Sequence, residues 1–288
     1  MSRLIINADD FGLTRGVNRA IIELHRGGVL TSTTLMARAG ATGEAIALAR
    51  STPSLGVGCH IVLVDGDPAL PPSEIRTLAQ RSTGRFRPSL VSFVANLLTG
   101  RIRSSEIEAE AAAQIRLLQS KGLDPTHIDT HKHTHMFPAV LRPLLRAARA
   151  AGIRAVRNPF EPVWAVRATA GASWARAAQV NVLRRLQDKC RQIIAEEGFA
   201  TTDGTIAVVG TGILTGATLR SLLEQLPEGT WELVTHPGYN DADLDKVRTR
   251  LRASRETERE ALQTIKEFPE IELITYGQLA TEDARGAR

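Results

Sequence analysis

A chain of 288 residues, 43% of them apolar, buries about three quarters of the surface its unfolded form exposes, which is the size of one large domain. It holds no apolar run of about 18 residues to span a bilayer, and its start lacks an apolar stretch of signal-peptide length, so it reads as cytoplasmic. The net charge is +5, but aromatic residues are 4%, no basic patch is interleaved with aromatics to bind nucleic acid, and two distant cysteines make neither a disulfide framework nor a zinc knuckle.

Leu4 to Ala8 is an apolar run of buried-strand length that ends in Asp9 and Asp10. Val17 to Arg26 places apolar residues at helical spacing and is stopped by Gly27 and Gly28. Thr31 to Met36 predicts a second strand, Glu44 to Arg50 a short helix, and Leu55 to Leu63 a third strand carrying His60. From about residue 64 to 104 the pattern lapses into prolines, glycines and charges, with a short apolar helix over Ser89 to Leu98. An excursion of that length inside a compact fold is usually functional. Ser105 to Lys121 predicts a long helix closed by Gly122.

Four of the seven histidines then fall between His127 and His135. Alternate side chains of an extended segment point the same way, so His127, Asp129, His131, His133 and His135 would share one face. Imidazole and carboxylate together suit a divalent metal, with the carboxylate also able to orient a ligating ring. An ion that keeps positions open for substrate takes only one or two of the four histidines.

Pro138 begins a helix to about Ala150, and Ile153 to Arg157 predicts a fifth strand. Residues from about 160 to 200 form an insertion that includes a basic helix over Ser173 to Glu197. Thr205 to Val209 is the sixth predicted strand, Ala217 to Leu226 a helix, and Thr230 to Thr235 the seventh strand, ending in His236-Pro237-Gly238. Asp245 to Phe268 predicts a charged helix and Ile271 to Thr275 a last strand. Gly210 to Gly216 fits neither a dinucleotide fingerprint nor a phosphate loop, so no organic cofactor is expected.

About eight strands alternating with helices predict one α/β domain over residues 1–288, a distorted, TIM-like (β/α) barrel rather than an open doubly wound sheet. Asp9, Asp10, His60, His131, Arg157 and His236 all fall at or just past C-terminal strand ends, which in such a barrel converge on one mouth. Beyond a strand end both aspartates can turn into that mouth, one to ligate a metal and the other to take a proton from a metal-bound water. One aspartate and two histidines around a single ion make a hydrolytic arrangement, in which the metal lowers the pKa of water to near 7 and stabilises an oxyanion. Asp9 suits the general base and His236 the general acid toward a leaving amine. Arg157 would orient Asp9, bind an anionic substrate or form a structural ion pair. The same ligands would also serve a metal-dependent phosphoesterase, with Arg157 on the phosphate.

Asn7-Ala8-Asp9-Asp10-Phe11-Gly12-Leu13, Thr31 to Thr34, Gly58-Cys59-His60, the block Thr126 to Pro138 and Thr235-His236-Pro237-Gly238 together resemble the YdjC-like carbohydrate deacetylases, the ChbG/HpnK family. The resemblance covers most of the chain in the right order. It implies a metal-dependent hydrolase that removes an acetyl group from an N-acetylated amino sugar, on a distorted (β/α) barrel. By motif position it implies metal ligands at Asp10, His60 and His131, a base at Asp9 and the late histidine at His236. His127, Asp129, His133, His135 and Arg157 would then contact the substrate or support the ligands. The ion would be magnesium or zinc, which the ligand set does not tell apart. Leu63 to Pro72 resembles the hopanoid-associated HpnK branch more than the chitobiose branch, which implies an N-acetylglucosaminyl lipid as substrate. The basic helix over Ser173 to Arg191 and the apolar Leu90 to Leu98 would then rest on the inner, anionic face of a membrane, and a homodimer is a further expectation.

Overall fold

The computed structural model, which describes residues 2–286, is an α/β fold with a parallel sheet at its centre. β1 (Ser2–Phe11) lies in the middle of the sheet, between β2 (Ser32–Leu35) and β6 (Gly229–Thr235). β3 (Gly56–Ile61) and β4 (Ile128–Thr130) continue it beyond β2, and β5 (Gly204–Ile206) beyond β6, giving the order β4-β3-β2-β1-β6-β5. β7 (Glu272–Leu273) pairs with the start of β1, off this path. Isolated parallel bridges, Ile128 with Val156 and Ala155 with Ala200, carry pairing on from β4 toward the segment that enters β5.

The sheet therefore has seven strands where the sequence pattern predicts eight, and the expected strand over Ile153 to Arg157 is reduced to bridges. Pro159 has no N–H to donate, and the Asn158 side chain takes over by donating to the Thr202 carbonyl at 3.0 Å. β5 stops early because Ala207 turns into the left-handed region at φ 68°.

Helices pack against the outer side of the sheet. α1 (Arg15–Arg26) starts where the Thr14 hydroxyl accepts from the Val17 amide, and α2 (Thr42–Arg50) follows β2. The excursion after β3 holds α3 (Leu90–Leu98) and leads into α4 (Ser104–Gln119), which packs on α5 (Pro138–Ala150). α6 (Val163–Ala168), α7 (Trp174–Leu183) and α8 (Gln187–Glu196) form the insertion before β5, where a 3-10 turn over Arg184–Leu186 interrupts the single basic helix expected there. After α9 (Gly216–Glu224), the long charged helix expected over Asp245 to Phe268 is split. α10 (Ala242–Asp245) and α11 (Ala253–Ala261) flank an irregular stretch, and a 3-10 turn follows α11. Val247 and Thr249, both β-branched and stiff at χ1, sit in that stretch. α12 (Tyr276–Gly286) ends the described chain.

Alternation along β1 sorts its residues. Leu4 and Ile6 join the main core under the helices, while Ile5 packs with Ala155, Ala200, Ile274, Tyr276 and Leu279. Asn7 and Asp9 follow Ile5 at the next two positions of that second face, so an apolar floor gives way to polar groups toward the C-terminal strand ends.

Candidate active site

The site begins with an irregularity in β1. Pairing with β2 shifts register between Ala8 and Phe11, and Asp10 lies at φ 67°. Strict alternation would send Asp9 and Asp10 to opposite faces, and this bulge lets both reach the same place.

His60 on β3 and Asp129 on β4 are register partners, and Asp129 Oδ1 stands 2.8 Å from His60 Nδ1. That contact fixes the ring and leaves Nε2 turned toward the strand ends. β4 stops at Thr130. His131 to Met136 form a 3-10 turn in which Lys132 and His133 lie at φ 59° and 51°. The single shared face expected for the histidine cluster is therefore not formed. The chain reverses so that His131 faces Asp10, while His135 is drawn back to Thr130, whose hydroxyl lies 2.7 Å from its Nδ1. His127 is fully buried, stacked on Tyr276 at 4.0 Å between centroids, with Nε2 3.2 Å from Asn7 Oδ1. Gly58 makes room for it, since a Cβ there would stand 2.6 Å from the His127 ring. The His133 side chain is half-buried, its Nδ1 buried with no hydrogen-bond partner among the described residues, and loss of solvent around the ring pushes it down to about 3.

Asp10 Oδ1, His60 Nε2 and His131 Nδ1 converge, with separations of 3.8, 3.6 and 3.3 Å. Ligand bonds of 2.0 to 2.2 Å at tetrahedral angles place donors about 3.4 Å apart, so this trio fits a divalent ion and leaves its remaining positions open. Burial alone would depress the His60 imidazole, but Asp129, Asp9 and Asp10 together push it up to about 9. A cation bound at the trio would take the place of that proton.

Arg157 is the hub beneath the trio and is fully buried. Its Nη1 and Nη2 donate to Asp9 at 3.0 and 2.6 Å, Nε donates to Glu232 at 2.8 Å, and Nη1 also pairs with Asp129. A guanidinium so enclosed meets no substrate, so its contact with Asp9 is internal. Burial would raise the Asp9 carboxyl, but Arg157 first, with His60 and His236, holds it well below the usual carboxylate range. On the other side, His236 Nε2 stands 3.7 Å from Asp9 Oδ2. Burial lowers His236, and Glu258 with Asp9 raises it above an ordinary histidine.

Sequence reasoning missed three charged groups. Glu232 breaks the apolar run of β6, a signal that was present. Arg255 and Glu258, one turn apart on α11, gave none, because a charged helix reads as a solvated face. Arg255 Nη2 donates to Asp10 Oδ2 at 2.5 Å, while Glu258 Oε2 accepts from the His236 amide at 2.7 Å and Oε1 from the Gly212 amide at 2.9 Å. One face of α11 thus holds both ends of the site.

Glu161 braces the turn after β5 by accepting from the Val209 amide at 2.7 Å, and its other oxygen is buried without a partner among the described residues. Burial pushes this carboxyl up to about 7. The folded state then holds the proton more tightly than the unfolded chain, so the group's contribution is full below an ordinary glutamate pKa and is lost as pH rises through about 7. Glu161→Gln should raise stability at pH 8, by up to about 3 kcal/mol, and change it little at pH 4, as paired denaturation curves would record. A groove of about 840 Å³ is lined by residues that follow β1, β2 and β3, among them Leu13, Met36, Val62, Asp65 and Phe86, but by none of the trio itself, and Lys132 of the histidine turn pairs with Asp65 at 2.8 Å.

The carbohydrate deacetylase of Brevibacillus brevis is 33% identical over 241 residues, covering 83% of this chain and 82% of that protein. The chitooligosaccharide deacetylase of Salmonella schwarzengrund is 40% identical over 152 residues, 52% of this chain and 57% of that one. A solved structure from Enterococcus faecalis V583, provisionally described as a cellobiose-phosphate cleavage protein, superposes with a TM-score of 0.74 at 28% identity, covering 97% of this chain and 99% of that one. The family model described as YdjC-like protein matches residues 3–269, and with relatives this extensive the chain belongs to the YdjC-like family.

Proposed function

We propose that the protein removes the acetyl group from an N-acetylated amino sugar, using one divalent ion held by Asp10, His60 and His131. The observation that carries this reading is the trio's open side, flanked by an ionised carboxylate and a histidine of raised pKa. The deacetylase names of the relatives support the substrate class. When bound, the ion supplies a Lewis acid for the amide carbonyl and makes water more acidic.

The chain's own groups do the proton work. Asp9 takes a proton from the attacking water as its oxygen joins the carbonyl carbon. His236 gives its proton to the departing nitrogen, the C–N bond breaks, and acetate and a free amine leave. Arg157 keeps Asp9 ionised and aimed, at some cost in basicity, so the proton is held briefly. His236, 3.7 Å away, is the nearest group to receive it back. The phosphoesterase alternative loses its support, because Arg157, its phosphate ligand, is enclosed by three carboxylates.

Metal-free protein re-supplied with single metals should release acetate from N-acetylated chito-oligosaccharide or from an N-acetylglucosaminyl lipid. If no metal yields acetate from either class, the reading fails.

A further inference from the structure

Among the described residues six large apolar side chains are exposed, namely Val91, Leu98, Val163, Trp174, Val182 and Ile213. Five of them fall in two segments, residues 85–105 and 163–187, and Ile213 lies close to Gly171 of the second. These two segments contain four arginines each and not one aspartate or glutamate. With those eight set aside, 28 basic residues face 31 acidic ones, so the rest of the chain is net −3 while these segments are net +8.

The placement within each helix is regular. α3 buries Phe93 and Leu97 and leaves Val91, Ala95 and Leu98 outward, at i, i+4 and i+7, before the exposed Arg101 and Arg103. α7 has no buried residue. Trp174, 84% exposed, leads Ala178 and Val182 along one line, and the next turns of that line bring Arg185 and Lys189.

Both helices lie on the side of the active site. The strands are parallel, so their C-terminal ends share one side. Residues 62–103 leave the end of β3, residues 157–186 leave the bridge at 155–156, and α4 and α8 then return toward the far ends of β4 and β5. α7 also touches the rim, where Arg176 Nη1 donates to the Thr211 carbonyl at 2.8 Å, next to the Gly212 amide held by Glu258.

We propose that this face docks on a bilayer containing anionic lipids, with the mouth of the site turned toward it. Trp174, Val182, Val91 and Leu98 enter the headgroup boundary, where an indole is well accommodated, and the exposed Arg101, Arg167 and Arg185 meet the lipid charge, each contributing about 1 kcal/mol near such a surface, while Arg85 is already paired with Asp67 and Arg176 with main-chain carbonyls. A second copy of the chain fits this face poorly, because it would bring the same positive charge against itself. Among the described residues no helix is long and apolar enough to cross a membrane, and the contact proposed is one of this face with the bilayer surface. This inference does not depend on the deacetylase reading.

The test is flotation of the full chain with phosphatidylcholine vesicles, with and without phosphatidylglycerol. Binding is expected only with phosphatidylglycerol, weakening as salt is added. Trp174→Ser combined with Leu98→Ser should abolish it. Arg101→Gln combined with Arg185→Gln should weaken it on the order of tenfold, and melting curves should stay unchanged in both cases. Absence of binding to either vesicle, or binding that both double variants retain, overturns the proposal. So does sedimentation showing that Trp174→Ser turns a dimer into a monomer, since the face would then be a self-interface.

Discussion

Asp9→Asn is expected to lower kcat for acetate release by about 10²- to 10⁴-fold and to leave the metal content unchanged, whereas Asp10→Asn should lose metal and activity together. The two residues are neighbours with nearly equal burial, so composition and exposure do not separate them. Their partners do. Asp9 is held on both oxygens by Arg157, and Asp10 presents Oδ1 to two imidazoles while Arg255 holds Oδ2. Asparagine at position 9 removes the group that accepts the proton and keeps the trio intact. Asparagine at position 10 removes the only carboxylate oxygen of the trio. Metal analysis after dialysis, beside steady-state kinetics, reads both effects. Equal metal loss in the two variants would sink the division of roles.

Arg157→Met should destabilise the fold by about 3 to 5 kcal/mol, because it leaves Asp9, Asp129 and Glu232 buried without their shared cation. For a chain of this length that is a fall in Tm on the order of 10 °C. Removing an exposed pair such as Arg142 with Glu196 should leave stability nearly unchanged, because solvent screens it. The pH dependence carries a sign. In the native protein Asp9 is depressed, so its contribution is present above the unfolded carboxylate pKa and is lost as pH falls. Without Arg157 the buried carboxyls favour their protonated forms, and the variant should recover part of the deficit on acidification. Denaturant titrations at pH 5 and pH 8 measure it. A deficit that is equal at both, or larger at pH 5, would contradict the assignment of Arg157 as counter-ion to this cluster.

Much of the convergence of the candidate residues was legible because they sit where strands end. An apolar run terminated by two aspartates, a histidine closing the third strand and a histidine-rich segment after the fourth are local patterns, and parallel strands bring their ends together without further instruction. The turn at Lys132 and His133 was not legible, since two consecutive left-handed residues other than glycine are stabilised only by what surrounds them, here Asp65 on Lys132 and Thr130 on His135. The bulge at Asp10 has the same character. α11 was hidden for another reason. Arg255 and Glu258 are buried by distant elements, and on sequence alone they are indistinguishable from Arg259 and Glu260 beside them. The full set of eight regular strands failed just past Arg157: its amide still reaches the Ile128 carbonyl, but Pro159 has no N–H to continue the ladder and the Asn158 side chain bonds the Thr202 carbonyl instead.

The pair formed by Asp10 and Arg255 spans 245 residues, and β1, which carries Asp10, has β6 and β7 as neighbours on the sheet. On a ribosome adding roughly 5 to 20 residues per second, Asp10 is made some 12 to 50 s before its arginine exists. For that interval the first strand has β2 to pair with but lacks the neighbours made last. The strand that carries Asp10 is thus completed long after it is made, and the centre is whole only once the 245 residues that lead to Arg255 have followed it.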